Sequence, residues 1–74
     1  MNINELAVGK NALIERYRSN TVFSERLMEL GLTPGTRITL VRRAPFSGPI
    51  EIAYGHLRLA LRPAEGDGIY ILPV

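Results

Sequence analysis

The chain has no cysteine and no tryptophan, only one histidine (His56), and five phenylalanine or tyrosine residues among 74. Without cysteine, no disulfide or thiolate–metal centre supports the core, and nothing points to an oxidising compartment. With one histidine there is no His-based catalytic pair or cluster. No serine sits in a nucleophile-elbow context, and no G-x-x-x-x-G-K-[ST] run offers a phosphate cradle. No basic-then-apolar leader opens the chain, and no uncharged apolar run approaches the ~20 residues of a membrane span. A soluble cytoplasmic domain is therefore expected. Charge of one sign is also scarce: nine cations face seven anions, and Arg42-Arg43 is the only adjacent cationic pair. So small an excess, spread over both halves, is a poor footprint for nucleic acid despite a pI near 9.5.

What is present is dense in turn chemistry. A chain of this length buries roughly 60 % of its unfolded surface, which suits one small domain, residues 1–74. Its organising stretch is Leu27-Met28-Glu29-Leu30-Gly31-Leu32-Thr33-Pro34-Gly35-Thr36. A helix over about 21–30 is predicted, with Phe23, Leu27 and Leu30 at i, i+4 and i+7. Asn20 or Thr21 is placed to cap its start, and Gly31 to end it in a left-handed conformation, with Leu27 and Leu32 as the Schellman contact. Thr33-Pro34-Gly35-Thr36 then fits a type II turn, with Pro34 fixing φ and Gly35 taking positive φ.

The remaining segments read as short strands. Residues 1–10 form an entry segment with one helical turn, for which Asn4 is the candidate cap. Ala12–Arg18 is rich in β-formers, but parity leaves either face inward: Ala12 and Ile14 lie on one, Leu13 and Tyr17 on the other. Thr36–Arg43 places Ile38 and Leu40 on one face and Arg37, Thr39 and Arg43 on the other. Ile50, Ile52 and Tyr54 alternate, Gly55-His56 fits a type II′ hairpin, and Leu57, Leu59 and Leu61 are predicted to face inward. Residues 63–68 make a turn, or one helical turn begun by Pro63, and Ile69–Leu72 closes the chain with Pro73 at an edge. The expected fold is mainly β: a small barrel of five to six short strands with one main helix, curled to shield its edges.

Candidate contact residues cluster in one loop. In Arg42-Arg43-Ala44-Pro45-Phe46-Ser47-Gly48-Pro49, proline and glycine stiffen a segment that carries an aromatic beside two guanidinium groups. Aromatic and arginine side chains are enriched at interface hot spots. Arg42, Arg43, Pro45 and Phe46 are therefore candidate partner contacts, while Phe46 as a plug for the barrel end is equally compatible with the sequence. Met28 and Leu32, on the helix and just beyond it, are a second candidate surface. No metal site is expected. His56 with Glu51, or with Glu65 or Asp67 drawn from two chains, is the combination that would offer hard O/N ligands.

The order and spacing of these motifs resemble the FeoA family. The matching residues are Leu-x-x-Leu-Gly-Leu-x-Pro-Gly-Thr at 27–36, Arg-x-Ala-Pro-Phe at 42–46, Pro-Ile-x-Ile at 49–52, Gly55 and Leu-x-Leu-Arg at 59–62. The resemblance implies an SH3-like β-barrel, association with FeoB (a membrane permease with a cytosolic G domain), and support of Fe²⁺ uptake without catalysis or cofactor. Two positions depart from the family: Ser47-Gly48-Pro49 stands for the usual Gly-Asp-Pro, and a glycine-interrupted 63–68 stands for a charged helix. The same module resembles the C-terminal domain of iron-dependent repressors; with Met1 opening this segment, transport is the expected role. Two other functions compete with the adaptor reading. One is a nucleic-acid-binding small barrel, motivated by eight arginines. The other is a regulator that supplies Arg42 or Arg43 in trans to a GTPase. A homodimer is left open.

Overall fold

The computed structural model describes all 74 residues. After a 3₁₀ turn at Ile3–Glu5, the elements are β1 (Asn11–Tyr17), α1 (Val22–Glu29), β2 (Arg37–Arg43), β3 (Ile50–Tyr54), β4 (Leu57–Leu61), a single helical turn α2 (Pro63–Gly66) and β5 (Ile69–Pro73). The strands form one sheet in the order β4-β3-β2-β1-β5, every pairing antiparallel. Its inner residues, among them Ile14, Ile38, Leu40, Ile50, Ile52 and Ile71, join Ile3, Leu27 and Leu32 in a single buried cluster.

The helix and the corner after it form as the residue types require. Thr21 is the N-cap: its hydroxyl accepts from the Ser24 N–H, and the Ser24 hydroxyl accepts from the Thr21 N–H. Leu32 N–H donates to the Leu27 carbonyl and Gly31 N–H to the Met28 carbonyl, both at 3.0 Å, which is the Schellman pair. Gly31 has φ +100°. Thr36 N–H then closes on the Thr33 carbonyl at 3.0 Å, with Gly35 at φ +93°, as a type II turn demands. The carbonyls left over at this corner are taken by hydroxyls. Tyr54 Oη donates to Leu30 O at 3.0 Å, Thr36 Oγ1 to Gly31 O at 3.0 Å, and Tyr17 Oη to Leu32 O at 2.6 Å.

Two β-bulges settle which side chains face inward. Between Ile14 and Arg16 the β1–β5 register slips by a residue. Ala12 and Ile14 point to the core, and beyond the slip Tyr17 returns to the same side to pack against it. Simple parity could not have chosen a face for this strand, because the bulge uses both parities. A second slip, between Leu40 and Arg42, pairs Arg43 directly with Ile50 and Arg42 with Glu51. Arg43 thus shares the face of buried Ile50, whereas unbroken alternation had put it with Arg37 and Thr39.

Other expectations are corrected. Leu30 is the C-cap of α1 and half-exposed, not part of the apolar stripe, and Ser24 takes the buried place on the helix. Asn2, not Asn4, caps the 3₁₀ turn; the Asn4 amide instead donates to the Pro63 carbonyl. In β4 only Leu61 is buried, because this strand is the sheet edge and its hairpin end is uncovered; Leu57 is 53 % exposed.

Replacing Gly31 with alanine should cost about 1–2 kcal/mol in denaturant unfolding, the penalty of a left-handed non-glycine residue. Burial and the neighbouring Tyr54 push the Tyr17 phenol up to about 12 from its usual 10.0. The folded chain therefore holds this proton more tightly than the unfolded one. The contribution is complete below pH 10 and is lost as pH rises toward 12. Tyr17→Phe should flatten that part of the stability–pH curve relative to the unsubstituted protein, as followed by urea midpoints across the alkaline range.

Candidate functional site

The β2–β3 connection is built to present one side chain. Ala44 N–H donates to the Pro49 carbonyl at 3.0 Å, closing the loop base, and Gly48 N–H donates to Pro45 O at 3.2 Å, closing its tip. The residues between, Phe46 and Ser47, have φ +59° and +57°. Positive φ at both central positions defines a type I′ turn, where Asn-Gly is the usual choice. An aromatic and a serine there carry left-handed strain of about 1–2 kcal/mol per residue. Gly48 is needed for space, because a Cβ would lie 2.8 Å from Ala44 Cβ and 3.0 Å from Pro45 O. Phe46, at the tip, is 99 % exposed. The plug reading is thereby excluded: the ring touches no core.

Arg43 fixes the ground beneath this loop. Its Nη2 donates to the carbonyls of Asn4 (2.9 Å) and Leu6 (2.8 Å), tying β2 to the N-terminal turn. Asn4 Nδ2 reaches the Pro63 carbonyl at 2.8 Å, adding α2 to the same knot. An open groove lies alongside, lined by Asn4, Arg43, Pro45, Phe46, Ser47 and Pro63. Of the adjacent arginine pair, Arg43 is a structural clamp, whereas Arg42 is exposed on the outer face opposite Glu51. Arg43 nevertheless stays exposed, with only its Nη2 engaged by the two carbonyls.

The other candidates separate. Pro45 is exposed next to Phe46, whereas Arg42, also exposed, lies on the outer face opposite Glu51. Leu32 is fully buried as the apolar half of the helix stop and offers no surface. Met28 is half-buried, and the exposed apolar residue beside it is Leu30, which the helical periodicity had placed inside. A C-cap residue lies past the last helical turn and need not follow the stripe.

The polar groups do not converge. No group of three or more His, Asp or Glu is placed to hold a metal ion. His56 sits in the β3–β4 turn, while Glu51 lies opposite Ala60, on the order of 10 Å away down the ladder. Glu51 accepts from Arg58, Asp67 from Arg18 and Asn2, and Glu65 from the Arg62 N–H. The arginines are dispersed too. Arg16 stacks 4.2 Å from the Tyr70 ring centroid, Arg18 pairs with Asp67 and Arg58 with Glu51.

Comparison with known proteins gives a consistent result. The profile described as the FeoA domain matches residues 1–73. A fusion protein from Porphyromonas gingivalis, named Fe(2+) transport protein A/Fe(2+) transporter FeoB, is 34 % identical over 71 residues, covering 96 % of this chain and 8 % of its own length. The solution structure of iron(II) transport protein A from Clostridium thermocellum superposes with a TM-score of 0.92 at 32 % identity, over 100 % of this chain and 46 % of that one. A zinc-complexed FeoA from Stenotrophomonas maltophilia, described as a prokaryotic SH3 domain protein, gives 0.84 at 28 % identity over 96 % and 88 %. The chain thus spans a small fraction of the fusion protein and about half of the Clostridium chain. The curled sheet is of the SH3-like type.

Substituting Asn for Phe46 and Gly for Ser47 together would give the type I′ turn its preferred residues. The double variant should be more stable than the parent by about 1 kcal/mol, with no buried contact removed. The strain released is offset in part by the extra freedom that glycine gives the unfolded chain and by the residual cost of asparagine at positive φ. Equilibrium urea unfolding measures this directly.

Proposed function

The chain belongs to the FeoA domain family, and from that premise we propose that it is a non-enzymatic cytosolic accessory of ferrous-iron uptake. In this reading it docks on a FeoB-type permease through the Phe46 loop and tunes its activity. The observation that carries the proposal is Phe46 itself: a ring 99 % exposed at the tip of a strained, hydrogen-bonded turn. Strain of this kind is retained where the geometry is used. The two backbone hydrogen bonds that close the loop fix the turn that carries this ring, so docking costs little loop freedom and only side-chain ordering is added. Pro45 stands beside it and Arg43 lines the same groove, a composition expected of a hot spot.

The covalent joining of FeoA and FeoB sequences in the Porphyromonas relative supports a partner of this kind. A tether raises the effective concentration of two modules that must meet. That no three His, Asp or Glu side chains come together is in keeping with a binding role.

Titration of the isotopically labelled chain with the cytosolic portion of a FeoB-type permease, and then with the full-length permease, should shift the amides of residues 44–49. Phe46→Ala should weaken that binding by roughly thirty-fold, the equivalent of about 2 kcal/mol, with no loss of folding stability. Unchanged spectra with both forms of the permease would refute the docking reading.

A further inference from the structure

The two edges of the sheet differ. The β5 edge is covered by the N-terminal residues: Asn2 bridges to Tyr70, Ile71 N–H donates to the Met1 carbonyl, and the strand ends in Pro73. The β4 edge has β3 on one side and nothing on the other. Its orientation follows from the hairpin. Tyr54 and Leu57 flank a two-residue turn and must exchange both backbone bonds, so Leu57, Leu59 and Leu61 bond to β3. The N–H and C=O groups of Arg58 and Ala60 therefore point away from the sheet with no partner. Within Leu57–Leu61 there is no proline and no bulge, and the one charged side chain, Arg58, already pairs with Glu51 of its own sheet.

We infer that this edge pairs antiparallel with β4 of a second copy of the chain, making one continuous sheet across a two-fold axis at Leu59. The argument for a second copy is that the strand complements itself. About Leu59 the leucines at 57 and 61 are symmetric, while Arg58 on one strand falls opposite the small Ala60 on the other. Set Arg58 opposite the second copy's Ala60, and the free backbone groups of the two strands meet as hydrogen-bonded pairs. On the inner face Leu57, now 53 % exposed, comes to lie against Leu61 of the other chain, and the half-buried Leu59 meets its own copy.

The outer face supplies charge complementarity. Ala60 already stands opposite Glu51 within each chain. In the paired sheet Arg58 would lie beside a short Ala60 and, one strand further, Glu51 of the second copy, about 10 Å away between Cα atoms. An extended arginine spans that gap over an alanine. Arg58 already bonds its own Glu51 at 3.1 Å with most of its guanidinium in water, so the pairing would place each arginine between two carboxylates. A heterologous strand would have to supply both the leucine ladder and the carboxylate, which the chain itself provides. The contact is isologous and closes after two copies. It does not use Phe46 and is independent of the permease reading.

Sedimentation equilibrium of the full chain, from tens of micromolar to about one millimolar, suits an interface of this small size. A monomer–dimer equilibrium is expected, with amide exchange of Arg58 and Ala60 slowing as concentration rises. Ala60→Pro removes an outward donor and leaves every β3–β4 bond intact. It should hold the chain monomeric with its secondary structure unchanged at low concentration. Leu57→Lys, at an exposed position, tests the same pairing should the proline variant fail to fold. A chain that stays monomeric throughout, a dimer that survives both substitutions, or an edge protected only when an unrelated extended peptide is added would each overturn the inference.

Discussion

The structure depends on how the carbonyls at the end of its one real helix are satisfied. An eight-residue helix is too short to persist alone in water, and a buried carbonyl without a donor costs about 1–3 kcal/mol. The oxygens of Leu30, Gly31 and Leu32 are each met by a hydroxyl from elsewhere: Tyr54 on β3, Thr36 at the start of β2 and Tyr17 at the end of β1. The Gly31 oxygen is exposed, but those of Leu30 and Leu32 are partly buried and rely on the sheet's tyrosines. That coupling gives a small chain without disulfide or metal a route to cooperative folding.

The same logic separates side chains that hold the molecule together from those it displays. Arg43 and Arg42 are neighbours in sequence, yet the bulge before them sends one to clamp the N-terminal turn and leaves the other on the outer face. Leu32 and Leu30 divide similarly across Gly31, one sealed in the core and the other left half in water. Phe46 lies at the far extreme, on a turn whose backbone would be more comfortable with smaller residues. The rigid clamp beneath the loop is what allows that strain to persist. A floppy base would let the turn relax and the ring collapse onto the surface.

Edge management follows a comparable division. The N-terminal residues are spent on covering β5, and Arg43 holds them there through the carbonyls of Asn4 and Leu6. Nothing comparable reaches β4, so the apolar face of that strand fades from buried Leu61 to exposed Leu57 along its length. A period-two pattern reports which face a residue is on, but not whether anything lies above that face.

What the amino-acid sequence determined by itself was the local chemistry. The helix start at Asn20 or Thr21, the Leu27–Gly31–Leu32 stop, the Pro34-Gly35 corner, the Gly55-His56 hairpin and a turn opened by Pro63 are fixed by φ preferences and by hydrogen bonds between near neighbours. The choice of Thr21 as cap and of a helical turn at 63–66 came from the structure. The order of these signals was also enough to show the FeoA resemblance and the mainly β, SH3-like fold. Only the tertiary structure decided where the two bulges fall, and hence that Tyr17 joins the core side and Arg43 acts as a clamp. It likewise decided that Phe46 stands free and that β4 has an open edge. A bulge is a compromise between two paired strands, and exposure depends on what packs above. Neither is encoded in the spacing of one segment, because both are properties of contacts between residues far apart in the chain.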